Sequence, residues 1–460
     1  MPSTLTRPLA LLGLLFALTA VLAARPAQAG AAAPEYRGVQ LHSLWEETST
    51  AAMHRDLDLA DQTGANVIRV DVGWSSLETG GKGQFSDWYV NKLDDLVNTA
   101  NAKGMKVIAG LWSTPCWASS APETKKQGCA GSWWDRGVTM YAPSNNQDFA
   151  DISRWITSRY GTKLAALEVW NEPNLSEDRF WIASNEAASY AGMLKAAYPA
   201  AKAGNSQVPV LAGSLAVGGE SFVNSIYAHG IKGSYDGLSV HPYNQTNPEN
   251  GRWGGLDWMR NLQRANGDGK PLWLTEFGFT SCSGGSWCVS EAEQAENLKG
   301  SFRALEREPN IKAAVVYNLR EKGNSGSFED NFGLVSRHFT PKPGYYALRE
   351  ALGGSGQAAP ARKRLRLRLV RRRKAVVAIL KGPKRARVAL KVTRCPKASR
   401  KRFKVRTSRT RARPGAAGVA PRSAGLPSQG SAGRQARCEG RRRPGPLGLT
   451  LSAGGIPADR

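Results

Sequence analysis

The chain has 460 residues, of which 41% are hydrophobic and 22% are charged, and this length predicts one large domain with an appendage, or two domains. Its net charge of +26 is confined to one end, because residues 361–460 hold 31 Lys and Arg against 2 acids, leaving 32 against 35 for the rest. A basic character is therefore excluded for the main part of the chain.

The first predicted element is a secretory signal peptide over residues 1–29. A short start with Arg7 leads into the apolar run PLALLGLLFALTAVLAA and then into Ala27-Gln28-Ala29, which is typical of a signal sequence and its cleavage site. No later stretch reaches the ~20 apolar residues that span a bilayer. We therefore expect a secreted, extracellular protein that is not transmembrane.

Residues 30–353 follow as a predicted catalytic domain of the α/β class. Short apolar strands are read at GVQLHSLW, NVIRVDVGW, MKVIAGLW, LAALEVWN, VPVLAGS, YDGLSVHPY, PLWLTEF and KAAVVYNL, with amphipathic helical runs between them. Eight such pairs favour a (β/α)8 TIM barrel over a doubly wound sheet. No Gly-rich phosphate loop follows any strand, so nucleotide binding has no support.

Two strand ends carry acids. The fourth strand ends in Asn171 and Glu172, and the seventh ends in Glu276. Carboxyl ends of barrel strands meet at one face, and strands four and seven lie nearly opposite each other, so both carboxyls are expected at one mouth. Pro173 predicts an extended backbone for Glu172. Two such carboxyls are what hydrolysis of a glycosidic bond requires.

Other strand ends supply polar partners. Arg69 on strand two is predicted to pair with a carboxylate, with Asp71 as an alternative, purely structural partner. His241 and Tyr243 follow strand six, where the phenol is expected to bond Glu276 and the histidine either to serve the site or only to cap its strand. Asn171 suits a sugar 2-hydroxyl.

Several short motifs together resemble the retaining β-glycosidases of clan A, in particular glycoside hydrolase families 39 and 5, over about residues 35–352. These are Asn171-Glu172-Pro173, TEFG around Glu276, HPY on strand six, IRVD on strand two and the TPCWAS loop. The resemblance implies an acid/base role for Glu172, a nucleophile role for Glu276 and net retention. The chain departs from the clan at strand eight, where Tyr317 stands in place of the common tryptophan and is expected to stack on a sugar.

Aromatic residues near predicted strand ends are candidate sugar platforms, since an indole offers a large apolar face. Of the 14 tryptophans, those in such positions are Trp74, Trp112, Trp117, Trp133, Trp134, Trp181, Trp253 and Trp287. We expect two to four of them at the cleft, with Trp112 among the substrate-binding residues, and the others packing loops.

Six cysteines in an exported chain predict disulfides rather than free thiols. Their spacing suggests the pairs Cys116–Cys129, Cys282–Cys288 and Cys395–Cys438. None has the C-x-x-C form of a zinc site, so we expect no metal, and no organic cofactor is indicated.

The C-terminal part changes composition abruptly. We predict a linker at 354–361, a small basic β domain at 362–409 and a disordered tail at 410–460. An alternative for the last fifty residues is that a GC-rich gene is translated out of frame there, which would give a similar Ala-, Gly-, Pro- and Arg-rich composition. The net charge of this part predicts attraction to an anionic cell-wall polymer, or only a solvated basic surface. Phe403 alone could stack on a base, so specific nucleic-acid binding is not expected.

The sequence thus predicts a secreted retaining β-glycosidase that acts on a polysaccharide or oligosaccharide, either cellulase-like and endo-acting or similar to a β-xylosidase. A non-catalytic polysaccharide-binding protein and a transglycosylase using the same site are the alternatives.

Overall fold

The structure is a computed structural model, and it describes residues 33–45, 48–127, 129, 137–175, 180–251, 253–323 and 326–354, together with four later strands. The signal peptide at 1–29, the pair Cys395–Cys438 and nearly all of the predicted linker lie outside the described residues. Within the part that is described, no helix combines the length and apolar character needed to cross a bilayer.

Eight parallel strands form a closed barrel in sequence order, which confirms the predicted (β/α)8 fold. They are β1 (Tyr36–Leu41), β2 (Val67–Gly73), β3 (Lys106–Trp112), β4 (Leu164–Val169), β5 (Val210–Ala216), β6 (Gly237–His241), β7 (Leu272–Phe277) and β8 (Ile311–Val316). β1 closes the barrel because Gly38 lies opposite Val67 of β2 while Tyr36 lies opposite Ala313 of β8. No strand of the barrel is left as an open edge.

Helices alternate with the strands. They are α1 (Thr50–Gln62), α2 (Trp74–Leu77), α3 (Asp87–Ala102), α4 (Glu123–Lys126), α5 (Asn146–Tyr160), α6 (Glu186–Gly204), α7 (Glu220–Ala228), α8 (Gly254–Ala265), α9 (Glu291–Leu305) and α10 (Pro343–Leu352). Polar caps start the longer ones: Ser86, Asn145 and Asn185 each accept a backbone N–H in the first turn of α3, α5 and α6. Short 3₁₀ turns lie at Gly161–Lys163, Ile231–Gly233, Pro248–Asn250 and Glu329–Asn331.

The core is built from barrel strands that are buried on both faces, as in other parallel sheets. One buried cluster draws on six of the eight strands, through Val67, Ile108, Ala165, Ala166, Leu211, Trp273, Ala313 and Val315. Close approach at β1 requires a glycine, since a Cβ on Gly38 would lie 1.7 Å from the carbonyl oxygen of Val67.

The described residues fall into two compact units. The first comprises those up to Asp61, Ala65–Gly278 and Glu296–Leu319, and it contains all eight barrel strands. The second comprises Gln62–Gly64, Phe279–Ala295 and the described residues from Arg320 onward. Two predicted disulfides are confirmed: Cys116–Cys129 in the first unit, with a Cα separation of 6.1 Å, and Cys282–Cys288 in the second, at 5.0 Å.

Beyond α10, four strands are described by their backbone. β9 (Arg366–Arg372) pairs with β10 (Ala375–Lys381), and β11 (Ala389–Val392) pairs with β12 (Leu449–Ser452), both antiparallel. The domain boundaries drawn from the sequence in this region stay a prediction.

Candidate active site

The carboxyl ends of the barrel strands bring the predicted acids together. Glu172 follows β4, His241 is the last residue of β6, and Glu276 lies next to the end of β7. One carboxylate oxygen from each glutamate and one ring nitrogen of His241 all lie within 4.8 Å of one another. The two carboxyls therefore face the same space, as their strand positions predicted.

Arg69 on β2 is the electrostatic centre of the site. Its side chain is fully buried, and it donates from Nε to Oε2 of Glu168 at 2.7 Å, from Nη1 to Oε1 of Glu276 at 2.5 Å and from Nη2 to Oδ1 of Asn171 at 2.9 Å. Burial lowers the pKa of Arg69, but the charges of Glu168 and Glu276 outweigh burial and raise it above its usual range. The alternative partner Asp71 is farther away, with its oxygen 3.6 Å from Nη1.

Tyr243 secures the second oxygen of Glu276. Its hydroxyl donates to Oε2 at 2.8 Å, as the sequence predicted. Burial, followed by the charge of Glu276, holds the pKa of Tyr243 well above its usual range, so the phenol keeps its proton and stays a donor. Glu276 thus has a donor on each oxygen, one cationic and one neutral.

His241 engages Glu172 and is not merely a strand cap. Its Nδ1 lies 2.7 Å from Oε1 of Glu172, and its Nε2 lies 3.2 Å from Oγ1 of Thr275. Burial lowers the pKa of His241, but the charge of Glu276 and the hydrogen bond with Glu172 outweigh burial, so that its pKa is raised. The ring is therefore biased towards its protonated form.

The backbone at Glu172 differs from the prediction. Pro173 does keep Glu172 out of the right-handed helical region, but the residue has φ +44° and is not extended, so that expectation was wrong. Trp170 is also left-handed, with φ +73°. The chain therefore turns sharply as it leaves β4, and two non-glycine residues in sparsely populated regions flank Asn171.

Five buried polar residues of the site were not predicted from the sequence, and each is at most 1% exposed: Glu168 on β4, Ser239 on β6, Thr275 on β7 and, beside Arg69, Gln40 and Ser214. Glu168 lies inside the apolar run LAALEV, and an acid in a buried strand rarely lacks a charged partner, which is the signal that could have found it. Gly110 is a second signal, because a Cβ there would lie 3.1 Å from Oε2 of Glu168.

Ser214 and Gln40 complete the surroundings of Arg69. The pairing of β5 with β6 shifts between Gly213 and Leu215, so Ser214 is the extra residue of a β-bulge, with φ +57°. Its hydroxyl lies 3.4 Å from Nη2 of Arg69, and the Gln40 side-chain oxygen accepts from Nη1. Gly213, a glycine within a strand, is the sequence signal that could have predicted this bulge.

The predicted aromatic platforms are mostly buried. Tyr317 is 7% exposed, and its ring lies edge-on to Tyr243, with the two centroids 6.2 Å apart. Trp112 is 6% exposed and packs edge-on against Phe180. Of the other named tryptophans, Trp74, Trp181 and Trp253 are buried, Trp117 is half-buried, Trp287 is exposed, and Trp133 and Trp134 lie outside the described residues. Sugar stacking by Trp112 or Tyr317 stays a prediction.

The spacing of Glu172, His241 and Glu276 would admit a metal ion. However, the guanidinium of Arg69 already supplies a positive charge at Glu276, so the geometry gives no reason to assign a cation there.

Comparison with known proteins supports the resemblance found in the sequence. The family model described as Cellulase (glycosyl hydrolase family 5) matches residues 27–315. No curated protein matches the chain significantly.

Solved structures share the fold at low sequence identity. A family 39 glycoside hydrolase from Bacteroides cellulosilyticus WH2 has a TM-score of 0.54 and 18% identity, over 80% of this chain and 74% of that one. GH5_18 from Streptomyces cattleya has a TM-score of 0.53 and 16% identity, over 72% and 83%. The GH39 enzyme from Xanthomonas axonopodis pv. citri has a TM-score of 0.51 and 19% identity, over 75% and 74%. Since the family model covers more than half of the chain, the protein belongs to glycosyl hydrolase family 5, the cellulase family, and is a glycoside hydrolase.

Proposed function

We propose that the protein is a secreted retaining β-glycosidase that hydrolyses polysaccharides or oligosaccharides by double displacement. One observation carries the proposal: oxygens of Glu172 and Glu276 lie within 4.8 Å of each other at the barrel mouth. Retaining enzymes place their two carboxyls about 5 Å apart, whereas inverting enzymes need about 6.5–9.5 Å to admit a water between them.

Glu276 is the proposed nucleophile. An ionised carboxylate only accepts hydrogen bonds, and Arg69 and Tyr243 donate to its two oxygens, which suits a group that must stay anionic and correctly aimed. In the first step a Glu276 oxygen attacks the anomeric carbon, and the bond from that carbon to the leaving oxygen breaks. The leaving oxygen takes a proton from Glu172.

Glu172 is the proposed acid and base. Its side chain is 14% exposed, and among the described residues its hydrogen bond to His241 uses Oε1, leaving Oε2 for the leaving group or water. In the second step Glu172 removes a proton from water, the water oxygen bonds to the anomeric carbon, and the ester to Glu276 breaks. Both carboxyls then return to their starting states.

The test uses Glu276→Ala and Glu172→Ala with aryl β-glycosides and added azide. Each variant should lose about 10³-fold or more in kcat/KM on a substrate with a poor leaving group. Azide should rescue Glu172→Ala to give the β-glycosyl azide, because it attacks the glycosyl-enzyme, and should rescue Glu276→Ala to give the α-glycosyl azide, because it attacks the substrate directly. NMR of the first product formed by the parent should show the β-anomer.

Glu78→Gln is the matched control, because Glu78 is also a buried acid, at 5% exposure, and within the described residues its carboxylate accepts from Trp74 and Gly83 and not from the groups around Arg69. It should keep parental activity.

An α-anomer as first product would contradict double displacement. Sugar binding without hydrolysis of any β-glucan, xylan, mannan, galactan or aryl β-glycoside would indicate a binding protein instead, and transfer to an added sugar acceptor would indicate a transglycosylase.

We also propose that the basic C-terminal part attracts an anionic cell-wall polymer. Its 31 Lys and Arg against 2 acids over residues 361–460 support this. Co-sedimentation of the full chain with purified cell walls should fall steeply as salt rises, and a chain ending at residue 360 should stay in solution. Equal sedimentation of both chains would contradict the proposal.

A further inference from the structure

A continuous line of buried hydrogen bonds connects Glu168 to the acid/base candidate Glu172. Oε1 of Glu168 accepts from the Ser239 hydroxyl, the Ser239 and Thr275 hydroxyl oxygens are 2.5 Å apart, and Thr275 Oγ1 lies 3.2 Å from Nε2 of His241. Nδ1 of His241 then meets Oε1 of Glu172 at 2.7 Å. Glu168, Ser239, Thr275 and His241 are at most 1% exposed, and we call these four residues the Glu168 chain.

The charge on Glu168 sets the direction of every bond in the Glu168 chain. Arg69 donates to Oε2 of Glu168, which holds the group as a carboxylate that can only accept. The Ser239 hydroxyl must therefore donate its one proton to Glu168. In the contact between the two hydroxyls, Thr275 is then the donor and Ser239 the acceptor. Thr275 then has no proton left for the ring of His241.

These hydrogen-bond directions determine the tautomer of His241. Since Thr275 can only accept, Nε2 of His241 must carry a proton, and Nδ1 becomes the ring position that gains or loses one next to Glu172. Among the residues that the structure describes, four charged or titratable groups face this ring: Glu172, Glu276 at 3.6 Å from Nδ1, Arg69 and the phenol of Tyr243.

We propose that Glu168 is a positioning residue which, through Ser239 and Thr275, fixes a proton on Nε2 of His241 and so directs the exchangeable Nδ1 position at Glu172. This rests on the proposed acid/base role of Glu172. When Nδ1 carries a proton, it donates to Oε1 and stabilises the carboxylate that Glu172 becomes after protonating the leaving group. When Nδ1 lacks one, Oε1–H of Glu172 donates to it and the acid proton points away from the substrate.

The sharpest test is Glu168→Gln, an isosteric change. Arg69 needs an acceptor at the position of Oε2, so the new amide turns its oxygen to Arg69 and its NH₂ group to Ser239. Ser239 then donates to Thr275, Thr275 donates to Nε2, and the ring proton moves to Nδ1. In ¹⁵N-histidine-labelled protein, neutral His241 should be the Nε2–H tautomer in the parent and the Nδ1–H tautomer in the variant. The chain has five histidines, and His241→Asn assigns the signal.

Two further variants keep the test decisive if Glu168→Gln does not fold. Thr275→Val removes the acceptor of Nε2–H, and Thr275→Ser restores it. The valine variant should lose the Nε2 proton preference and about tenfold in kcat/KM with little change in KM, and the serine variant should match the parent. Glu78→Gln, the buried acid outside the Glu168 chain, should leave the His241 signals unchanged.

The NMR readout separates this inference from the proposed function, because it needs no turnover. A parent whose neutral His241 is already the Nδ1–H tautomer, or a Glu168→Gln variant that keeps the parental tautomer, would overturn the Glu168 chain even in an active glycosidase. The predicted tautomers in a parent that hydrolyses no glycan would leave the chain intact and contradict the proposed function instead.

Discussion

Replacing Arg69 by Met should strongly destabilise the barrel. The guanidinium is fully buried, and its removal deprives Glu168 and Glu276 of the cation that contacts both at 2.7 and 2.5 Å. Methionine replaces the aliphatic stem of arginine but not its guanidinium, so the change removes the charge and leaves the volume of the guanidinium unfilled. The two acids would then have to hold buried charge without a counterion or take up protons.

The size of the effect follows from burial. Removing one partner of a buried ion pair costs about 3–5 kcal/mol, because the other charge remains desolvated. Glu168 at 0% exposure and Glu276 at 7% are the charges that would remain desolvated, so the middle of this range applies to the loss of the one guanidinium that serves both. We expect the free energy of unfolding to fall by about 4 kcal/mol, a large part of the about 5–15 kcal/mol that stabilises a typical protein.

Urea denaturation followed by circular dichroism measures this change, and Arg69→Lys is the matched control. Lysine keeps the charge but lacks the planar fork that reaches Glu168, Glu276 and Asn171 together, so about half of the loss is expected. A methionine variant within about 1 kcal/mol of the parent would refute the view that one guanidinium neutralises both carboxylates.

Three further outcomes are expected. Tyr243→Phe should lower kcat/KM about tenfold to hundredfold on aryl glycosides, because Glu276 loses its 2.8 Å donor, and an unchanged rate would show that this bond does not assist attack. The pKa of His241 is raised in the folded state, so its protonation stabilises the fold fully below the unfolded pKa of about 6.5, and this stabilisation is lost as pH rises through the higher folded pKa. Urea titrations across about pH 6–9 should therefore show a fall in the free energy of unfolding, and His241→Asn should lack this fall. Replacing Cys116 and Cys129 together by Ser should lower the free energy of unfolding by about 3 kcal/mol in the same urea assay, given the separation of 13 residues, and a value equal to the parent's would contradict this entropic reasoning.

Sequence reasoning found the parts of the site that strand counting can place. The eight apolar runs gave the barrel, and the barrel brought Glu172 and Glu276 to one mouth because the carboxyl ends of its strands share a face. Tyr243 followed from the same logic, since strands six and seven are neighbours.

What the sequence did not predict depends on local geometry or on partners distant in the chain. Glu168 lies within an apolar strand and its partner Arg69 lies 99 residues earlier, so neighbouring sequence gives no sign of the ion pair. The left-handed turn at Glu172 was missed because Pro173 excludes the right-handed helical region without choosing among the remaining ones. Burial of Trp74 and Trp181 was missed because the residue type suits both a sugar platform and a loop core.

The closed order of the barrel ties activity to the last stage of folding. The residues that contact Arg69, together with those that contact one another around it, come from β1, β2, β4, β5, β6 and β7. No fragment shorter than residues 40–276 therefore contains the complete site. The last strand of the barrel, β8, pairs with both β7 and β1, and β1 is the first strand in the sequence. In a refolding experiment, recovery of hydrolysis should therefore lag behind recovery of the helical circular dichroism signal. The onset of turnover would then report the closure of the barrel.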